Sequence, residues 1–184
     1  SSKVVNRNPS GPFTTSTLQQ VSSGRLGFGA SRTMQISQKL YQGIEVDGDT
    51  IGLITYMRTD GTNLSKDAVE SFRNFINNEI GKEYVPENPA SYSGKKAKNA
   101  QEAHEAIRPT DITRTPDTLK KYLSPDQHKL YDLIWSRALS SQMKPAQFDR
   151  NTITITSDDN GTVCKTSGSV IKFDGFLKVM KDNK

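Results

Sequence analysis

The hydrophobic periodicity of this 184-residue chain changes near Arg150, and that change constrains its fold more than any other feature. Threonine and isoleucine alternate strictly over 152–156, which is typical of a strand with two different faces. A polar turn and a return strand over 157–166 predict a hairpin. The stretch 170–180 keeps β character, and Val4–Val5 predicts a further strand. We therefore expect β segments at both ends of the chain.

The residues between these β segments carry the start and stop signals of helices. Helices are predicted over Thr15–Leu26, after a cap at Ser31, between Ser65 and Gly81, and within 116–143. The expected fold is α+β, with a mostly helical domain inserted into a β-rich domain that both chain ends contribute. The predicted boundaries are 1–14 for the first β segment, 15–145 for the helical domain and 146–184 for the remaining β segments.

Charge and cysteine content indicate which kind of binding partner and which cellular compartment to expect. A net charge of +5 favours a polyanion, nucleic acid before an anionic membrane, although a surplus of this size also serves solubility. Four residues at 95–98, three of them lysine, fall in a predicted exposed loop and could contact a nucleic-acid backbone.

The single cysteine, Cys164, allows no internal disulfide, and no long apolar run or signal-like segment occurs. We expect a cytoplasmic protein without membrane association. Because the chain opens on strand-like residues without methionine, we interpret it as a piece of a longer protein.

The stretch Leu53–Asp60 is a short apolar run that ends in tyrosine, arginine and aspartate. In an extended strand, side chains two residues apart share a face, so Tyr56 and Arg58 would project into one site. A phenol can act as a nucleophile, and a guanidinium can bind a phosphate. A tyrosine near an arginine is more often ordinary packing or surface, so this pair alone does not decide the function.

Two other polar patches are candidates for contact with phosphate. The hydroxyls at 14–17 stand at a predicted helix start, where they could bind phosphate or only cap the helix. The stretch Gln101–Asp111 predicts a short helix that ends before Pro109. His104 has no second metal ligand four residues on, so it is a candidate for acid–base work or phosphate contact; a structural histidine is the commoner outcome. Arg108 belongs to the same patch.

Five motifs occur in order along the chain. They are Pro12-Phe-Thr-Thr-Ser-Thr-Leu-Gln-Gln20, Arg25-Leu-Gly-Phe-Gly29, Ile54-Thr-Tyr-Met-Arg-Thr-Asp60, Thr62-Asn-Leu-Ser65 and Glu102-Ala-His-Glu-Ala-Ile-Arg-Pro109. Together they resemble bacterial type IA DNA topoisomerase I over nearly the whole chain. Met57 points to the topoisomerase I branch, since the topoisomerase III branch typically has proline there. The chain departs from the family pattern at Gly61, where serine is frequent, and in a longer 44–52 connection.

The resemblance implies that Tyr56 attacks a phosphodiester of single-stranded DNA, forms a 5′-phosphotyrosyl link and releases a 3′-hydroxyl. Another strand then passes, and religation relaxes negative supercoils without ATP. Arg58 would stabilise charge on the phosphoryl oxygens, His104 would organise the DNA-contacting site, and Arg108 would hold a backbone phosphate. Supporting or DNA-binding roles are implied for a further set: Thr15, Ser16, Gln19, Gln20, Thr59 and Asp60.

The resemblance also implies parts that this chain does not contain. Family members place an acidic magnesium-binding cluster and a catalytic lysine in a separate N-terminal domain, and nothing here matches it. We therefore expect the chain to be the nucleophile-bearing gate domain with part of its hinge domain, to bind no metal itself, and to be inactive alone. Its expected partners are single-stranded and negatively supercoiled DNA and the remaining domains of the same polypeptide, in the bacterial cytoplasm at the nucleoid.

Three alternatives remain open from the sequence, and one is a purely structural or interaction domain, which would show no salt-dependent DNA binding. The main alternative is a non-catalytic single-stranded DNA-binding module, which would hold DNA through phosphate and stacking contacts. A tyrosine recombinase is a weaker alternative, because it would attach to the 3′ phosphate and need a different set of arginines and histidines.

Overall fold

The computed structural model of the protein describes residues 2–92 and 104–180, and in it the two chain ends meet in one antiparallel sheet. Strands β1 (Ser2–Arg7), β4 (Ala146–Thr156) and β5 (Val163–Phe173) lie in the order β1-β4-β5. Arg7 pairs with Ala146, so the chain leaves the sheet and returns to it at neighbouring positions. The predicted α+β fold, with a helical body between β-rich ends, is confirmed.

Within the described residues, the helical body contains five α-helices, one small hairpin, a π-helical turn (Ile76–Ile80) and a 3₁₀ turn (Lys82–Tyr84). Each helix begins where a hydroxyl or glycine precedes the apolar pattern, and Ser65 and Ser124 cap α3 and α5 through their side chains. The elements are α1 (Thr15–Leu26), α2 (Ala30–Gln42), β2 (Ile44–Val46), β3 (Asp49–Ile51), α3 (Lys66–Phe75), α4 (Pro116–Leu119) and α5 (Pro125–Ser140).

Three details differ from the expectations. Helix α2 begins at Ala30, and its cap is Gly29, two residues before the predicted cap Ser31. The predicted helical region 116–143 is two helices, because the capping box of Ser124 and the proline after it start a new helix. The β character expected beyond residue 175 is wrong, since Gly175–Lys178 form a 3₁₀ turn whose first residue, Gly175, is left-handed (φ 51°).

The core lies inside the helical body. Leu18 of α1, Leu40 of α2, Phe72 of α3 and Tyr131 of α5 are almost fully buried and belong to one hydrophobic cluster. In contrast, the outer parts of β4 and β5 expose isoleucine and valine side chains on the sheet surface. The helical body therefore provides the rigid support for the residues that the sequence singles out.

Candidate active site

The segment that carries Tyr56 and Arg58 is not a regular strand: it forms one isolated bridge, between Ile54 and Pro109, and bends at Met57. Ile54 and Met57 are buried, whereas Tyr56 is 50% exposed and Arg58 is also exposed. The buried side chains anchor the segment in the core and leave both candidate residues on the outer surface. The predicted strand is thus reduced to a single bridge.

Residues 105–109 support this segment by passing between three other parts of the chain. Ile107 bridges to Phe13, Pro109 to Ile54, and Glu105 to Asn63. The helix predicted for this patch is therefore wrong over residues 104–109. Its backbone groups bond to other segments instead of to one another, as in the 2.9 Å bond from the Ile107 N–H to the Phe13 carbonyl. Glu102 of the same motif and the lysine-rich residues 95–98 lie outside the described residues.

Thr55, the residue before the candidate nucleophile, locks its segment to residues 106–108. Its hydroxyl donates to the carbonyl of Ala106 at 2.7 Å and accepts from the N–H of Arg108 at 3.0 Å. Its own N–H donates to the Arg108 carbonyl at 2.9 Å. Thr55 was not a candidate from the sequence, because its importance comes from a contact between segments more than 50 residues apart.

Thr15 holds the same segment on the other side of Tyr56. Its hydroxyl donates to the carbonyl of Met57 at 2.6 Å and accepts from the N–H of Thr59 at 2.9 Å. The Thr15 N–H also donates to the Thr59 carbonyl at 2.9 Å. This hydroxyl is therefore engaged in fixing the backbone on both sides of Arg58, and the cap of α1 is supplied by its neighbour Thr14.

The other polar residues of α1 lie nearer to solvent. Ser16 and Gln20 are exposed and form a long side-chain hydrogen bond of 3.4 Å with each other. Gln19 is half-buried and lines the same surface groove as Arg58. Of these three residues, Gln19 is therefore the one that shares a cavity with a central candidate.

Arg108 forms an ion pair inside the protein. Its guanidinium bonds both carboxylate oxygens of Glu105, at 2.6 and 3.1 Å, and the two side chains are 15% and 29% exposed. Glu105 also accepts the N–H of Ser65 at 2.8 Å, which ties the pair to the start of α3. Partial burial opposes ionisation of the Glu105 carboxyl, but the hydrogen bonds from Arg108 and Ser65 outweigh it and lower its pKa.

Gly61 allows the residues around His104 to approach the nucleophile segment. A Cβ atom at position 61 would overlap the backbone carbonyl of His104. The N–H of Gly61 donates to the hydroxyl of Thr59 at 3.0 Å, which forms a tight local turn. His104 and Asp60 are both exposed. The glycine that departs from the family pattern therefore has a steric reason in this chain.

The phenol of Tyr56 is in contact with a second aromatic ring. The rings of Tyr41 and Tyr56 pack edge to face, with centroids 5.3 Å apart and an interplanar angle of 62°. Tyr41 lies at the end of α2, and the neighbouring Leu40 carbonyl accepts the N–H of Leu53 at 2.8 Å. The end of α2 thus fixes both the backbone before Tyr56 and one side of its ring.

Arg58 is the cation in this site that remains available. It forms no hydrogen bond or ion pair with any residue in the described part of the chain, whereas Arg108 is paired with Glu105. An exposed phenol and, two residues away, a guanidinium without a partner in the described part of the chain can present a nucleophile and a phosphate-binding group to one ligand.

The described residues do not form a metal centre. No group of three or more His, Cys, Asp or Glu side chains among residues 2–92 and 104–180 could hold a metal ion. Near Tyr56, the carboxylate of Glu105 is engaged by Arg108, which leaves Asp60 and His104 without a third ligand. The described residues therefore do not provide a ligand set for the magnesium ion that the resemblance implies.

The part of the chain that the structure describes also contains no helix long and apolar enough to cross a membrane.

Comparison with known proteins gives consistent results. The DNA topoisomerase family model matches residues 1–184. DNA topoisomerase 1 of Rickettsia typhi is 50% identical over 181 residues, which is 98% of this chain and 23% of that protein. DNA topoisomerase 1 of Haemophilus influenzae is 48% identical over 178 residues, 97% of this chain and 19% of that protein.

A solved structure agrees with the sequence comparison. Full-length topoisomerase I from Thermotoga maritima matches with a TM-score of 0.83 and 44% identity, over all of this chain and 29% of that chain. The chain thus spans about a quarter of the length of the relatives it matches. It belongs to the DNA topoisomerase family.

Proposed function

We propose that this chain is the nucleophile-bearing part of a type IA DNA topoisomerase, which cleaves and rejoins single-stranded DNA. The phenolic oxygen of Tyr56 attacks the phosphorus of a phosphodiester and loses its proton to solvent or to a base outside the chain. The new bond joins phosphorus to the tyrosine oxygen, and the bond to the 3′ oxygen breaks. This oxygen takes up a proton and leaves as a hydroxyl.

The 5′-phosphotyrosyl link preserves the energy of the original bond. Attack of the 3′-hydroxyl on that link therefore restores the DNA without ATP, and passage of a strand between the two steps relaxes negative supercoils. Arg58 stabilises the charge that develops on the phosphoryl oxygens, because its guanidinium can form two parallel hydrogen bonds with them.

The observation that carries this proposal is the placement of Tyr56. Its ring is half exposed, it lies two residues from a cation that has no partner among the described residues, and its backbone is fixed from both sides by Thr15 and Thr55. A packing tyrosine would be buried, and a surface tyrosine would not require such support. Preorganisation of this kind is what a nucleophile needs in order to meet phosphorus in line.

The other implied residues receive more limited roles. We assign Arg108 to positioning, since its pairing with Glu105 holds residues 105–109 against the nucleophile segment. Thr15 and Thr59 likewise position Arg58 through the backbone. His104 and Asp60 stay accessible and are assigned to contact with DNA or orientation of its phosphate.

The proposal extends to the domains and the setting of the chain. Residues 15–145 would form the gate domain, with 1–14 and 146–184 as hinge segments, in a cytoplasmic, nucleoid-associated protein. Mg²⁺ would be held outside this chain, in the separate N-terminal domain that the resemblance implies. The chain alone is then expected neither to cleave DNA nor to relax it, and its partners are the remaining domains and single-stranded or negatively supercoiled DNA.

The test uses the full-length protein, unaltered and with Tyr56→Phe. Each is mixed with single-stranded DNA labelled at either its 3′ or 5′ end and magnesium, then quenched with denaturant. We expect the 3′ label to stay with the unaltered protein alone, since that end lies downstream of a 5′-phosphotyrosine. Retention of the 5′ label instead would indicate the opposite polarity. If the protein captures neither label, the result would indicate that it binds DNA without cleaving it.

A further inference from the structure

A groove of about 980 Å³ lies along α2 and includes Arg58 in its lining. Its walls come from α1, α2 and the beginning of α5, so distant parts of the helical body enclose it. The polar side chains that line it include Gln19, Gln35, Lys39, Gln42 and Gln127. The groove therefore extends from Arg58, two residues after the candidate nucleophile, along the exposed face of α2.

The contribution of α2 to this groove is a regular stripe. Arg32, Gln35, Lys39 and Gln42 recur at intervals of three, four and three residues, which places them on one helical face. With a rise of 1.5 Å per residue, this face is about 15 Å long. The opposite side of α2 is buried in the body, as Leu40 shows. The stripe is thus rigidly supported and open along its length.

In the described part of the chain, the cationic side chains of the groove are neutralised at one end and not along the rest of its length. At one end Arg32 is neutralised by an ion pair with Asp126 of α5, which is the single acidic residue among the described residues of the lining. Lys39 and Arg58 form no ion pair with any described residue. The amides of the glutamines add neutral donors and acceptors between these cations. Apolar side chains, among them Met34 and Ile36, also line the groove, but its cations and amides are the groups that bind phosphates and sugars.

We propose that this groove binds the sugar–phosphate backbone of the single-stranded DNA on one side of the cleaved phosphate. The proposal rests on the proposed function, because Arg58 is taken as the group at the cleaved phosphate. Lys39 neutralises a second phosphate farther along α2, and the glutamine amides bond to phosphate or sugar oxygens. These contacts are made to phosphates and sugars and not to base edges, so binding through the groove is independent of the DNA sequence.

The test measures binding in the full-length protein carrying Tyr56→Phe, so that no covalent capture contributes. Fluorescent oligothymidylate is titrated at salt concentrations from about 50 to 200 mM, with and without Lys39→Gln. Loss of one phosphate contact should weaken binding and reduce the slope of log K against log salt by about 0.7. Lys165→Gln, an exposed lysine on β5 outside the groove, is the matched control and should leave the slope unchanged.

Each outcome has a defined meaning. An unchanged slope with Lys39→Gln, in a variant whose circular dichroism is unaltered, would overturn the groove proposal. An equal loss with Lys165→Gln would also overturn it, because the effect would then reflect overall charge. The cleavage assay on protein with Tyr56 intact keeps the two proposals separable. Capture of DNA with an unchanged slope refutes the groove alone, whereas absence of capture refutes the proposed function.

Discussion

Thr15→Val tests whether the start of α1 supports the candidate site or contacts DNA. Valine has nearly the shape of threonine but lacks the hydroxyl that donates to Met57 at 2.6 Å and accepts from Thr59 at 2.9 Å. A net hydrogen bond contributes about 0.5–1.5 kcal/mol, so loss of both should lower the free energy of unfolding by about 1–3 kcal/mol.

The expected effects are measured by urea unfolding of this chain and by cleavage and binding assays in the full-length protein. The variant should be less stable and should cleave DNA more slowly, because the backbone on both sides of Arg58 is no longer fixed. Affinity for single-stranded DNA should remain the same. Thr15→Ser keeps the hydroxyl and should restore most of the stability and the cleavage rate.

The opposite pattern would refute this reasoning. If Thr15→Val leaves stability unchanged but weakens DNA binding and lowers its salt dependence, the hydroxyl contacts phosphate after all. Ser16→Ala serves as the comparison in the same helical turn, because Ser16 is exposed and makes only a long bond to Gln20. It should change stability little, which separates loss of a hydroxyl in general from loss of these two bonds.

Two further variants probe the surroundings of Tyr56. Tyr41→Ala should slow cleavage about two- to tenfold with unchanged DNA affinity, since an aromatic pair contributes about 0.5–1.5 kcal/mol. Tyr41→Phe keeps the ring and should retain the cleavage rate. Equal losses of rate in both variants would contradict positioning of Tyr56 by the Tyr41 ring. Glu105→Gln should destabilise the chain near neutral pH by about 1–3 kcal/mol. Because folding lowers the Glu105 pKa, its contribution is complete above about pH 4.5 and is lost as the pH falls through the folded value, so unfolding curves of the two proteins should converge there. A difference that persists in acid would exclude the ionised pair as its cause.

Local signals in the sequence were sufficient for most helices and for the hairpin. The predicted bounds Thr15–Leu26 agree with α1, because a cap, an apolar pattern and a terminating glycine all fall within that one stretch. The alternation near residue 153 predicts β4 for the same reason. These elements follow from periodicity and capping, which need no knowledge of distant residues.

The arrangement around the candidate site could not be predicted in this way. Residues 105–109 have helix-compatible composition, but their backbone pairs with segments near 13, 54 and 63. The pairing of Arg108 with Glu105 and the placement of the Thr15 hydroxyl also depend on tertiary packing. Sequence patterns therefore identified Tyr56 and Arg58 as candidates but not the residues that hold them.

The pairing of Arg7 with Ala146 has a consequence for protein engineering. The two backbone positions from which the helical body departs are as close as neighbouring strands, about 5 Å apart. A tight turn could join them and leave β1, β4 and β5 as a plain three-stranded meander. Conversely, the helical body could be transplanted into the turn of an unrelated hairpin without stretching either junction. The two ends of the helical body are therefore suitable junctions for a chimaera, and that chimaera would carry Tyr56 together with all of the segments that hold it.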